Sequence, residues 1–137
     1  MFKRALKMVE SFLGNQESDG EMLQEAGVYL FEDRFNGVRA KDQLNDLEDG
    51  FYIANLDNSN QGGSHWVALA VEPDAIFYFD SFARPNAKTL QLSDPNRIIV
   101  QEADPDVLQP NKSDDCGQRC LAWLILYSNS PRSALSI

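Results

Sequence analysis

The sequence predicts an α+β domain: a mixed, mostly antiparallel sheet packed against helices, one of which is buried and carries a cysteine at its start. Three observations predict it. Helical spacing dominates the first fifty residues. The middle of the chain is rich in β-formers. Near the end, "CGQRCLAWLILYS" is apolar on nearly every side from Leu121 to Leu126, and a helix of that kind is buried. Helices, then strands, then one strongly apolar helix is the order of an α+β fold.

Each element has its own signal. Phe2, Leu6, Val9 and Leu13 recur at helical spacing, and Gly14 follows as a stop. "NQESDGE" reads as a polar loop. "EMLQEAG" predicts a short helix ended by Gly27, and "VYLFEDRFNG" an apolar stretch followed by a turn. "AKDQLNDLEDG" predicts a two-turn helix closed by Gly50. "FYIANL", "HWVALAVE" (65–72), "AIFYFDSF" (75–82) and "RIIVQEA" (97–103) read as strands, with Pro73-Asp74 as a tight hairpin turn. "RPNAKTLQLSDPN" and "DPDVLQPNKSDD" read as loops, the first with a short helical piece. No repeat or linker interrupts the chain, so residues 1–137 are expected to form one domain.

Composition narrows the function. With 43% hydrophobic and 10% aromatic residues the chain should fold. A net charge of −9 with scattered Lys and Arg disfavours DNA binding, which needs phosphate neutralisation, and disfavours an anionic membrane. No stretch approaches the roughly 18 apolar residues of a spanning helix. The N-terminus is basic and amphipathic and lacks the apolar run of a signal peptide. Two cysteines four residues apart make no secreted disulfide framework. A single histidine leaves them short of a zinc site. No metal or other cofactor is expected. A reducing compartment and a monomer are.

Two short stretches carry chemistry. In "QPNKSDDCGQRC", Asp115 and Gln118 match a capping box, with Cys116 as the first helical residue. There the helix dipole favours a thiolate, the nucleophilic form. First-turn N–H groups can hold an oxyanion, and Gly117 leaves room for a substrate carbonyl. Asp114 and Asp115 oppose the thiolate, so a cation must offset them, and His65 in "GGSHW" is the candidate. Imidazole as base to a thiol is a common dyad. Trp66 is placed to stack on the ring or pack beneath it. A carboxylate should orient the imidazole. Asp80 in "FYFDS" fits if the hairpin forms, whereas Glu72 and Asp74 lie towards the turn. Taken singly, each residue has an ordinary structural reading; a buried Cys is usually a small hydrophobe, as expected for Cys120. The CxxxC spacing does not suit a redox pair.

The order His65-Trp66, Asp80, Gln109, Cys116-Gly117 resembles that of the adenovirus-type maturation proteases (adenain) and, more distantly, of the SUMO and ubiquitin-like-protein proteases. "GGSHW" is similar to the adenain pattern Gly-Gly-x-His-Trp. "QPNKSDDCGQRC" is similar to its stretch leading to Cys-Gly-x-x-Cys, with "DCG" nearer the SUMO-protease form. "DRFNG" (33–37) also resembles the adenain N-terminal half. The resemblance spans roughly residues 25–128. It implies papain-like chemistry in permuted order, on a mixed sheet flanked by helices. Cys116 would be the nucleophile, His65 the general base and acid, and Asp80 the residue orienting His65. The Gln109 amide would join the Cys116 backbone N–H in the oxyanion hole. Gly62, Gly63, Trp66 and Gly117 would contact substrate.

The implied substrates are viral precursor or capsid proteins cut at Gly-rich, small-residue sites, in the virion and the infected-cell interior. An isopeptidase acting on a ubiquitin-like modifier is the alternative, and a non-catalytic virion structural or binding module is the alternative of another class. Compared with adenain the chain is shorter, acidic, and lacks a further cysteine. No DNA cofactor or disulfide-linked activator is therefore expected, and any peptide activator would bind non-covalently. The role of the C-terminal "PRSALSI" is not readable.

Overall fold

The computed structural model describes residues 2–14, 19–55, 65–80, 94–103 and 115–130. Among them are helices α1 (Phe2–Leu13), α2 (Gly20–Phe31) and α3 (Cys116–Asn129) and strands β1 (Phe35–Ala40), β2 (Gly50–Asn55), β3 (Trp66–Val71), β4 (Ala75–Asp80) and β5 (Ile98–Ala103). The strands form one sheet in the order β1-β2-β3-β4-β5. Its middle is antiparallel, β2 with β3 and β3 with β4, and each edge is parallel, β1 with β2 and β4 with β5. This is the mixed sheet of an α+β fold.

The helices cover one face. α3 lies between the sheet and α1, which explains its all-round apolar sequence. Leu121, Trp123 and Leu124 are fully buried, and each such side chain contributes about 1.5–3 kcal/mol of burial. Trp123 stacks on Phe79 with ring centroids 5.6 Å apart. Phe2, Leu6 and Val9 of α1 and Leu23 of α2 complete this layer. The opposite face carries a smaller cluster of Tyr52, Val67, Leu69, Val71, Ile76 and Tyr78, closed by Leu44 and Leu47. β3 is buried on both faces along its length, so its sequence is a continuous apolar run rather than an alternation.

α1 ends where the sequence places its stop: Gly14 has φ +78° and its N–H donates to the Glu10 carbonyl. Three expectations change. α2 begins at Gly20, where Asp19 caps it by accepting the Met22 N–H at 2.8 Å, and it runs through Gly27 to Phe31. Gly27 is a contact residue, not a stop. A Cβ there would lie 2.4 Å from the Phe35 ring.

The helix expected over residues 40–50 is reduced to one 3₁₀ turn, Lys41–Gln43. Leu44 and Leu47 turn instead onto the second sheet face, and Asp46 takes φ 53°. Gly50 opens β2 at φ 132°, and a Cβ there would sit 2.7 Å from the Arg34 carbonyl oxygen. Finally, the turn expected around "RFNG" is the start of edge strand β1.

The β3–β4 hairpin forms at Pro73-Asp74, with the Glu72 N–H donating to the Ala75 carbonyl at 2.8 Å. Beside this turn Arg97 donates to the carbonyls of Glu72 and Leu47 and pairs with Asp94 and Asp49. Those hydrogen bonds, to Asp49 first and then Asp94, raise the Arg97 pKa. The chemistry-bearing residues lie at the other end of the sheet.

Candidate active site

β3 and β4 run antiparallel, so the start of one lies beside the end of the other. His65 immediately precedes β3, and Asp80 closes β4. Both are buried, Asp80 completely. His65 Nε2 is 2.6 Å from Asp80 Oδ1, a short contact of the charge-assisted kind. The tautomer that donates from Nε2 to the carboxylate carries its proton there. In the neutral ring the lone pair is then on Nδ1.

Cys116 arrives from the helical layer as the first residue of α3 and is 7% exposed. Its sulfur lies near enough to the backbone N–H groups of Trp66 and Gly117 for both to favour the thiolate. Trp66 follows His65 directly, which sets the thiol at the His65–Asp80 end of the sheet. The indole of Trp66 points into the helix-facing core, and its Cη2 lies 3.5 Å from the place of a Cβ on Gly20. Gly117 is buried in the first turn of α3. Cys120, one turn on, is fully buried in the core. Both cysteines are free thiols.

The electrostatics differ from the expectation in two ways. Burial pushes the Cys116 thiol above its ordinary pKa. The Trp66 and Gly117 N–H groups pull it down, and the Asp115 charge raises it further. Desolvation thus outweighs the helix end. The capping box also does not form. Asp115 stands at the N-cap with no side-chain cap bond. Its Oδ1 instead accepts from Arg119 Nε at 3.2 Å, and Gln118 Nε2 donates to the Gly14 carbonyl at 3.0 Å. The cation that faces Asp115 is Arg119, which the sequence reading passed over. Its signal was the i,i+4 spacing from Asp115.

Gln109, Gly62 and Gly63 lie outside the described residues, as does Asp114. Asn55, paired with Trp66 at the end of β2, is a further buried polar residue at this end of the sheet. Among the described residues no group of three or more His, Cys, Asp or Glu could hold a metal ion. No helix among them is long and apolar enough to cross a membrane.

No family model matches the sequence. The chain is 26% identical over 147 residues to a protein named Protease from Snake adenovirus serotype 1, an alignment that covers 96% of this chain and 63% of that protein. The chain therefore spans less than two-thirds of its relative's length. The similarity agrees with the adenovirus-type resemblance seen in "GGSHW" and "DCGQRC".

Proposed function

We propose that the chain is a viral-type cysteine endopeptidase acting on precursor or capsid proteins at Gly-rich, small-residue sites. The observation that carries the proposal is the convergence of three groups at one end of the sheet. Cys116 opens α3 close to Trp66, the neighbour of a histidine bonded at 2.6 Å to a buried aspartate. The name of the snake adenovirus relative supports a peptidase.

In this reading His65 Nδ1 takes the thiol proton as the sulfur attacks the scissile carbonyl. Asp80 holds the ring and stabilises the imidazolium that forms. First-turn N–H groups of α3, with the Gln109 amide, hold the oxyanion. The imidazolium then protonates the departing amine, leaving a thioester on Cys116. Water, activated by His65, hydrolyses it. Because burial holds the resting thiol protonated, proton transfer accompanies substrate or activator binding rather than preceding it. The site of action would be the virion and the reducing interior of the infected cell.

The test is turnover of a fluorogenic peptide ending in Gly-Gly by the parent, Cys116→Ala and Cys120→Ser. Loss in Cys116→Ala with an unchanged melting curve, and retention in Cys120→Ser, are expected. Normal turnover by Cys116→Ala would remove the mechanism. Cleavage only of a folded ubiquitin-like modifier's C-terminal amide would select the isopeptidase reading. No cleavage of any substrate by the parent would select a binding module.

A further inference from the structure

An aspartate at an N-cap ordinarily turns its carboxylate back onto the N–H groups of the second and third helical residues. In α3 those residues are Gly117 and Gln118, and a cap bond would place a full negative charge on the amides nearest the sulfur. Asp115 makes no such bond. Its Oδ1 is held by Arg119 Nε, and both side chains are only 13% exposed. The Arg119 backbone N–H also donates to the Asp115 carbonyl at 3.0 Å, the i→i−4 bond of the first turn, so backbone and side chain of Arg119 both engage Asp115.

We propose that Arg119 is a positioning residue: it holds the Asp115 carboxylate off the first-turn amides of α3 and offsets its charge, reserving those amides for the sulfur of Cys116 and the oxyanion. This rests on the reading of Cys116 as the nucleophile. The directions at the thiol agree with it: the Gly117 N–H favours the thiolate and the Asp115 charge opposes it. The other ionisable groups on the elements packed against α3 sit differently. His65 and Asp80 bind each other, and Cys120 points inward. Lys3, Arg4 and Lys7 of α1 and Glu21 and Glu25 of α2 are exposed, and Glu10 is half-buried. Glu72, Asp74 and Arg34 gather about Tyr127, at the far end of the helix.

The experiment follows iodoacetamide alkylation of Cys116 against pH in full-length Cys120→Ser protein, with Arg119→Gln, Arg119→Lys, Asp115→Asn and the Gln/Asn double variant. Arg119→Gln should raise the alkylation midpoint by about one pH unit, a tenfold loss of rate at a fixed lower pH. Arg119→Lys should recover part of the loss, and the double variant most of it. Asp115→Asn alone should lower the midpoint, and it carries the test if Arg119→Gln does not fold.

A merely structural ion pair would lower the melting temperature of Arg119→Gln and leave the midpoint in place. That result, or an unmoved midpoint in Asp115→Asn, overturns the proposal. Peptide turnover is read in parallel. A shifted midpoint without turnover in the parent upholds Arg119 and sinks the peptidase reading. Turnover with an unshifted midpoint does the reverse.

Discussion

Replacing Asp80 by Asn and by Ala separates orientation from charge at the candidate dyad. The carboxylate is fully buried, with Oδ1 2.6 Å from His65 Nε2. Asn fits the same space and its amide oxygen can still accept from Nε2, so the ring stays oriented. What it loses is the charge on the acceptor when His65 becomes an imidazolium. A hydrogen bond to a charged group contributes about 1.5–3 kcal/mol, and each 1.4 kcal/mol is about tenfold in rate. Asp80→Asn should therefore lower kcat/KM by about 10- to 150-fold and keep the fold.

Ala removes the acceptor altogether and leaves a polar ring nitrogen buried. Leaving a buried polar group without its partner costs about 1–3 kcal/mol, which for a chain of this size lowers Tm by roughly 3–10 °C. Activity in Asp80→Ala should fall below that of Asp80→Asn. The assays are peptide turnover and thermal unfolding of the same preparations. Parental kcat/KM in a well-folded Asp80→Asn would refute the development of imidazolium charge at His65 during the reaction. A parental Tm in Asp80→Ala would refute the buried pair as a structural element.

Gln109→Ala should lower kcat by about 10²-fold, the scale of one lost oxyanion donor; an unchanged kcat takes Gln109 out of that role. Gly27→Ala forces a Cβ to within 2.4 Å of the Phe35 ring. Overpacking costs about 1–3 kcal/mol and the helix gains about 1 kcal/mol from Ala, so urea unfolding should show a net loss of up to about 2 kcal/mol. Gly20→Ala, whose Cβ would meet Trp66 at an ordinary 3.5 Å, is the control, and equal stability of the two variants contradicts the close approach. Tyr127, whose pKa is pushed up to about 12 by burial and then by the Glu72 charge, ionises more readily unfolded than folded. Its contribution to stability is full below the ordinary tyrosine value of about 10 and is lost as pH rises towards 12. Tyr127→Phe should flatten the fall in urea midpoint over that interval, and an unaltered slope would assign the fall to other groups.

Elements with a dominant local signal were legible in the sequence. α1, β3, β4 and α3 each carry a period or an apolar run that only one conformation can bury. The hairpin at Pro73-Asp74 then brings Asp80 to His65 by strand geometry alone. β1 was not legible. As a parallel edge strand containing Asn36 and Gly37 it buries only Phe35 and Gly37, and no tight hairpin turn can join it to its parallel partner β2. Residues 40–50 misled for the opposite reason. Leu44 and Leu47 carry a helical spacing, but their side chains pack on the buried apolar cluster of the second sheet face, and tertiary burial outweighs a two-turn helix that is marginal alone. Gly27 reads as a stop because φ freedom is the commoner use of glycine; only the position of Phe35 shows that it makes room for a ring.

The same division holds at the site. Sequence alone determined which groups are chemically able: one histidine, one thiol at a helix start, and an aspartate at a hairpin's open end. Their residue types and local periods are properties of short segments. Only the tertiary structure decided how those groups are charged and aimed. Burial raises the thiol above its ordinary pKa, and the Asp115 carboxylate pairs with Arg119 instead of forming the cap that its position suggests. Desolvation and the choice among competing hydrogen-bond partners depend on everything packed around a group, and no local stretch of sequence contains that information.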